Sequence, residues 1–326
     1  MLARSPQPIA YQLELTNHCP YTCQGCPRTH HMHRPLGMMS PETFRAVVDA
    51  VAPYQRNFWP MALHHMGEAL LHAEIAEHVA YACSRGVPTS LACRPNHLTP
   101  ERGEALLRAG LCMIVITVDA LDTPTMRAIT GKVANFEKAE ENVRAFLDVR
   151  RKLDSPTKVM IQMIAYADNQ HQWKAFEERF ACSDPGVVVA VKRFSAWTVP
   201  ELAQFGAASE KFLGGSCRRP FNSFVVLWDG RVVPCCRDHD GAVVLGNIHD
   251  GLDNVWNGPA YEAFREGFDD DALPKDHMCR GCSLYPWSPA AEKKSIATNA
   301  WIENEDPVAA YTPDWWMKSF GHRVVR

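Results

Sequence analysis

Two rhythms of apolar and polar positions alternate over the first two hundred residues. Short runs with a period near two, or of continuous β-branched character, predict strands at Ala10–Leu15, Trp59–His65, Pro88–Cys93, Met113–Val118, Lys158–Ala165 and Val187–Lys192. Between them the apolar residues recur every three or four positions, predicting helices over Pro41–Val51, Glu74–Arg85, Pro100–Ala109, Phe136–Lys152 and Gln170–Phe180. The punctuation agrees. Ser40 offers an N-cap before Pro41 at the first helical position, and Gly86 and Gly110 follow two helix ends. Six strand–helix alternations imply the α/β class: parallel units joined by right-handed crossovers, in a partial (β/α)6 barrel. In such barrels the chemistry sits at the C-terminal strand ends.

After a connector over Glu201–Gly215 the rhythm changes. An alternating run, Ser223–Trp228, meets the hairpin signal Asp229-Gly230 and returns as Arg231–Cys236. Leu245-Gly246-Asn247-Ile248 and one amphipathic helix, Leu252–Gly267, follow. The chain is thus expected to divide into a barrel, 1–200, and a small α+β unit with its tail, 201–326. Trp287, Trp301, Trp315 and Trp316 make the tail dense in aromatics, which predicts docking onto the barrel, with a lid over the site as the functional alternative.

Composition narrows the class. Hydrophobic content of 46% and charged content of 22% suit an ordinary globular chain, and a net charge of −3 gives no reason to expect nucleic acid. No apolar run of about 18 residues predicts a membrane span. The opening MLARSPQPIAYQL has no apolar signal core, so a cytoplasmic location is expected. In that compartment disulfides are rare, and twelve cysteines point to metal or catalysis. Cys83, Cys93, Cys112 and Cys182 stand singly and read as core or surface thiols.

Seven others form two groups. Cys19, Cys23 and Cys26 stand at CxxxCxxC spacing directly behind the first strand. A cubane [4Fe–4S] cluster has four irons, and three thiolates leave one open to a ligand that is not protein. A zinc knuckle completed by His18, His30, His31 or His33, or three unrelated thiols, are the bland alternatives. Cys217, Cys235, Cys279 and Cys282 make a full four-thiolate set, for which spacing alone does not separate zinc from a cluster.

The front motif resembles the radical S-adenosylmethionine (SAM) enzymes, whose open iron chelates the methionine amino and carboxylate groups of SAM. The resemblance extends along the chain. His65-Met66-Gly67-Glu68-Ala69-Leu70-Leu71-His72 is similar to the family's GGEPLLHP stretch, departing at Met66 and Ala69; it implies SAM contacts from Met66, Gly67 and Glu68. Arg94-Pro95-Asn96-His97-Leu98 looks like the TNG-type turn, and Thr117-Val118-Asp119-Ala120 like the S-x-D-G segment, followed by an IRG-like Ile129-Thr130-Gly131. These imply cofactor contacts from Asn96, Thr117, Asp119 and, on strand five, Gln162; each is otherwise a strand-end polar group satisfying a turn. Gly25 occupies the position before the third cysteine, where the family often carries an aromatic that packs on adenine. Subfamilies with a following Cys-Pro-Arg, here Cys26-Pro27-Arg28, vary there. Tyr21 is then the candidate for the adenine contact.

The back group, with its GxxxxC, LGNI run, helix and CxxC, is similar to the SPASM/twitch extension of radical SAM proteins. The cysteine count matches the short twitch form, which implies one auxiliary [4Fe–4S] cluster on Cys217, Cys235, Cys279 and Cys282. Arg218 and Arg219 beside a ligand either tune that cluster or face solvent. Cys236 follows Cys235 on a strand and should face the opposite way. It reads as a structural thiol or, more sharply, as a hydrogen-atom donor of the kind radical epimerases use. Substrate contacts are expected from Val191-Lys192-Arg193-Phe194-Ser195-Ala196-Trp197, where Arg193 has the fork geometry to hold a hydroxyl or carboxylate or is a solvated strand end.

The layout resembles the aminocyclitol- and sugar-modifying members, of the 2-deoxy-scyllo-inosamine dehydrogenase type. It implies reductive SAM cleavage, a 5′-deoxyadenosyl radical and two-electron oxidation of a small polar metabolite of antibiotic-type secondary metabolism, with a flavodoxin or ferredoxin as electron donor. Epimerisation, decarboxylation and peptide maturation are the alternatives. Barely ten residues precede the first strand, so no leader-binding or cobalamin domain is expected. A plain electron carrier or zinc protein would leave the strand–helix series unexplained.

Overall fold

The computed structural model describes residues 4–55, 60–208, 217, 219–269 and 272–282. Trp59, the end of the connector, Arg218 and the four tail tryptophans lie outside the described residues.

Six strands, β1 (Ile9–Leu13), β2 (Met61–Ala62), β3 (Thr89–Cys93), β4 (Met113–Thr117), β5 (Lys158–Ile164) and β6 (Val187–Lys192), alternate with helices. They pair in parallel in sequential order. The helices that return the chain are capped by residues suited to the task. Ser40 Oγ accepts from Thr43 N at 3.2 Å ahead of Pro41–Gln55, and Asn135 Oδ1 accepts from Lys138 N at 2.7 Å ahead of Phe136–Lys152. Their apolar faces, including Phe44, Val47, Leu106, Phe146 and Phe176, are buried in one hydrophobic core. That burial, at about 25 cal/mol per Å2 of apolar surface, is the main force that holds them to the sheet.

Beyond these, β7 (Ser223–Val226), β8 (Arg231–Val233) and β9 (Gly246–Asn247) extend the same sheet. The order across its nine strands is β6-β5-β4-β3-β2-β1-β7-β8-β9. The hairpin therefore does not stand apart. β7 lies parallel to β1, in register from Ile9↔Ser223 to Leu13↔Val226, and β8 and β9 follow antiparallel. Trp256 Nε1 donates to Ser5 O at 2.9 Å and ties the extension to the start of the chain.

Four elements differ from the sequence expectation. The second strand shrinks to two residues, because the run that reads as its end supplies buried side chains to a loop: His64 Nδ1 accepts from Ala92 N at 3.1 Å. A helix at Thr123–Thr130, hidden in a turn-like Asp-Thr-Pro-Thr, is capped by Asp122 Oδ1 on Thr125 N at 2.7 Å and ends at Gly131 with φ +95°. The single helix expected over Leu252–Gly267 is two, Leu252–Trp256 and Pro259–Asp269. Pro259 has no N–H to continue the first and opens the second. Finally, β8 stops at Val233 because Pro234 cannot donate to the ladder, so Cys235 and Cys236 sit in a turn rather than on the strand.

Candidate active site

The C-terminal ends of β1 to β6 and the turn after β8 enclose a cavity of about 350 Å3, within the range of small-molecule sites. Its floor is organised by Glu14, just past β1. Burial alone would raise this carboxyl, but hydrogen bonds and charge from His65 and Arg34 overcome it and hold the pKa at about 2. Arg34 Nη1 donates to Glu14 Oε2 at 2.6 Å, and Met66 N donates to Oε1 at 3.3 Å. The loop after β2 is thus anchored to the end of β1. The approach is closest at Gly67, where an added Cβ would lie 2.1 Å from Thr16 O and 2.8 Å from Asn17 Cα. Neither backbone atom can yield, so glycine is the residue that fits. Glu68 N then donates to His18 O at 2.9 Å, one residue before Cys19.

Cys19, Cys23 and Cys26 line the cavity, as do Met66, Gly67 and Glu68. Burial pushes the Cys19 thiol up to about 11 and the Cys26 thiol to about 12, so any metal they hold would have to displace their protons. Burial also pushes Glu68 up to about 7, against backbone donors at Arg94 N (2.8 Å) and Leu70 N (3.1 Å) and the Arg94 charge. Gly25, Thr117, Arg193 and Cys236 complete the expected residues on this wall.

Tyr21, Asn96, Asp119 and Gln162 are expected at the site but do not line the cavity. Tyr21 is buried with its ring edge-on to His97 at 5.6 Å. Asn96 Nδ2 is spent on Asn135 O at 2.7 Å, and Gln162 Nε2 on Thr117 Oγ1 at 2.9 Å. Asp119 is fully buried and pairs with Arg94. They support the wall from behind rather than forming it.

Arg94 is the residue that sequence reasoning passed over. Held by Asp119, its guanidinium lines the cavity, donates Nη2 to Cys23 Sγ at 3.4 Å, and lies over the Tyr21 ring at 5.8 Å. Its position directly after β3, at a C-terminal strand end, was the available signal. Tyr166, directly past β5, was missed as well. The space an aromatic at residue 25 would take belongs to Phe194 and Tyr166: a Cβ on Gly25 would lie 2.3 Å from Phe194 Cε2 and 2.8 Å from Tyr166 Cε1. The two rings meet edge-on at 5.2 Å, and both line the cavity.

A second, smaller cavity lies in the extension, lined by Cys217, Cys235, Cys279 and Cys282 with Pro220, Pro234, Phe264 and Phe268. Cys235 borders this cavity and Cys236 the first, while Arg237 borders both. Arg219 also faces it, with its guanidinium 3.8 Å over the Tyr11 ring. Among the described residues, no three sulfurs of either set gather within 4.8 Å of one another. The soft all-thiolate donor sets fit iron–sulfur clusters. No helix among the described residues is long and apolar enough to cross a membrane.

The Radical SAM superfamily matches residues 13–170, and the SPASM iron-sulfur cluster-binding domain matches residues 217–283. The S-adenosyl-L-methionine-dependent 2-deoxy-scyllo-inosamine dehydrogenase of Niallia circulans is 19% identical over 276 residues, 83% of this chain and 91% of that protein. The PqqA peptide cyclase of Bradyrhizobium diazoefficiens is 25% identical over 51% of this chain but 41% of its own length. The match to an AdoMet-dependent heme synthase of Methanosarcina barkeri is likewise confined to 44% of that protein. The chain thus spans under half of these two relatives. Among solved structures, BtrN in complex with AdoMet and 2-DOIA superposes with a TM-score of 0.53 over 79% of this chain and 85% of that one, at 20% identity, a likeness of fold. The two domains bring a SAM-binding [4Fe–4S] cluster and an auxiliary cluster as cofactors. The chain therefore carries a radical SAM domain followed by a SPASM-type iron–sulfur domain.

Proposed function

We propose that the chain is a radical SAM oxidoreductase that carries out a two-electron oxidation of a small polar metabolite such as an aminocyclitol, sugar or nucleoside. In this reading residues 1–200 form the catalytic barrel and 201–326 the auxiliary-cluster unit. Cys19, Cys23 and Cys26 hold the cluster that binds SAM, and Cys217, Cys235, Cys279 and Cys282 hold the second. When loaded with a flavodoxin- or ferredoxin-type donor at hand, the first site supplies reductive cleavage of SAM and hydrogen abstraction. The chain's own groups do the rest. Phe194 and Tyr166 offer aromatic faces over Gly25, Met66 to Glu68 and Thr117 offer polar contacts to the cofactor, and Arg193 orients the substrate by fork-like hydrogen bonds.

One observation supports oxidation above the alternatives. Cys235 borders the second cavity while its neighbour Cys236 borders the first; an auxiliary cluster held there would put an electron acceptor one residue behind the wall that a substrate would touch. Loss of a hydrogen atom, then of a proton and an electron, converts a secondary alcohol to a ketone. The dehydrogenase relative carries this activity in its name. A second reading rests on the same place: Cys236 is among the residues that line the cavity, and a thiol there would suit it to return a hydrogen atom, giving a redox-neutral epimerase.

The test is anaerobic reconstitution with iron counted, followed by turnover on a panel of aminocyclitols, sugars and nucleosides. About eight irons per chain, falling to about four in Cys235→Ala/Cys279→Ala, together with ketone product, are expected. Four irons in both proteins, with zinc in place of the rest, would overturn the auxiliary cluster. Epimer carrying solvent deuterium, abolished by Cys236→Ala, would select the second reading.

A further inference from the structure

Outside both cysteine sites, His72, Glu74 and His78 bring one donor atom each within 4.8 Å of one another. The three stand at the start of the helix Ile75–Ser84, immediately past the segment whose Met66, Gly67 and Glu68 line the cavity. Glu74 and His78 are four residues apart and share one helix face, with His72 two residues ahead. We propose that they form a zinc site, with two imidazoles, one carboxylate and a fourth position left to water.

The protonation pattern supports it. Met39 O can only accept, so the 3.0 Å contact from His72 Nε2 makes that nitrogen the protonated one. Nδ1 then carries the lone pair, and it is buried without a hydrogen-bond partner among the described residues. A metal-bound histidine shows this same arrangement, its far N–H given to a carbonyl and its near nitrogen to the ion. His78 Nε2 is also buried and unpartnered. The two side chains are 5% and 4% exposed, with ring centroids 4.8 Å apart. Leaving two buried polar nitrogens unmatched is unfavourable, and an ion would offset it. Phe44 stacks on the His78 ring at 4.3 Å and 13°, fixing its plane.

Glu74 has a matching surplus. It occupies the N-cap position, yet its side chain makes no capping hydrogen bond. Its carboxylate is exposed and can swing onto an ion without disturbing the core. The Arg45 guanidinium lies 5.4 Å over the Tyr81 ring. The donor set, imidazole and carboxylate without sulfur, is one that zinc takes at about 2.0–2.2 Å. An ion here would clamp the end of the cofactor loop to its helix and, through Met39, to the loop after β1.

The experiment uses the chain with its clusters loaded, stripped of loose metal by a chelator and titrated anaerobically with zinc chloride. Expected is one chelator-resistant zinc per chain with a nitrogen/oxygen shell near 2.0 Å and no sulfur by zinc-edge X-ray absorption. Binding should weaken by roughly tenfold or more in Glu74→Ala and His78→Gln. Glu74→Ala removes only an exposed group, so it keeps the test meaningful if His78→Gln folds poorly. Zinc should raise the melting temperature of the wild type and not of Glu74→Ala. Absence of zinc at micromolar concentration, a shell containing sulfur, or equal affinity in Glu74→Ala and wild type would each overturn the proposal. The clusters are counted separately as iron, so failure here leaves the proposed function untouched.

Discussion

Gly25 offers the sharpest test of how the cofactor cavity is built. A methyl at this position would sit 2.3 Å from Phe194 Cε2 and 2.8 Å from its Cζ. Ordinary contact begins near 3.4 Å, so the ring would have to retreat by about 1 Å. It has nowhere to go. Phe194 is 1% exposed, packs with Ile129, Tyr166, Val199 and Leu202, and is pressed from another side by Gly206, where a Cβ would lie 2.7 Å from the ring. Overpacking of this kind costs about 1–3 kcal/mol, or roughly 5–150-fold in an equilibrium constant. Gly25→Ala should therefore destabilise the fold by that amount and, by displacing Phe194 from the cavity wall, weaken SAM binding by at most that factor, measured by anaerobic thermal unfolding and equilibrium dialysis on the cluster-loaded protein. In Phe194→Ala the space is open, so adding Gly25→Tyr should restore both an aromatic face and affinity. The two changes should couple by about 1–3 kcal/mol, well outside the 0.3–0.5 kcal/mol scatter of independent sites. Additive losses in the double variant would refute the claim that Phe194 holds the place of the absent aromatic.

Two further outcomes follow from charges in and behind the wall. Removing the donor that Arg94 gives to Cys23 Sγ withdraws positive charge from a proposed cluster ligand. Arg94→Gln should lower the midpoint potential of the front cluster by about 40–90 mV, the one-electron equivalent of roughly 1–2 kcal/mol, in an EPR-monitored titration; an unchanged potential would show that the contact does not reach the cluster. Glu14→Gln leaves the Arg34 guanidinium, whose side chain is 3% exposed, without its partner, and should destabilise the fold by about 3–5 kcal/mol at pH 7. The carboxyl lies at about 2 in the fold against an ordinary 4.5. Its contribution is therefore complete above about 4.5 and lost as pH falls toward 2. The gap in melting temperature between wild type and Glu14→Gln should close over that window and stay constant above it.

The parallel β/α series was legible because each strand is a separate apolar run bounded by helix caps, and the cysteine spacing carried the two clusters. The rest depended on long-range geometry. Nothing local marks Met61–Ala62 as the whole of β2, since His64 and His65 continue an apolar-looking run and only their partners, Ala92 N and Glu14, show why they leave the sheet. Asn96, Asp119 and Gln162 sit at the right strand ends, yet each is taken up by a neighbour. Arg94 reaches the cavity because Asp119 does not. Motif matching assigns such positions by register, whereas tertiary hydrogen bonding decides which side chain of a register pair faces inward.

The relation between the two cysteine groups is also tertiary, and one strand pairing accounts for it. β7 runs parallel to β1, so the hairpin after it turns back and β8 descends beside the barrel wall. Its end reaches the level of Tyr11, with which Cys236 packs in a small apolar cluster that also includes Val225 and Val233. His65 Nε2 donates to Cys236 O at 3.0 Å and fixes the turn against the loop after β2. His65 is itself held to Glu14, with its Nδ1 3.4 Å from Oε1. A single buried carboxylate thus sets the positions of the cofactor loop and of the turn that separates the two cavities. Pro234 ends β8 there, so that Cys235 borders one cavity and Cys236 the other, with the two thiols in hydrogen-bond contact rather than facing opposite ways. A shift of β7 by one residue would exchange inward for outward side chains along it and carry this turn away from the wall. The β1–β7 register is therefore what brings the auxiliary site beside the substrate cavity, and the proposed oxidation depends on it more than on any single contact.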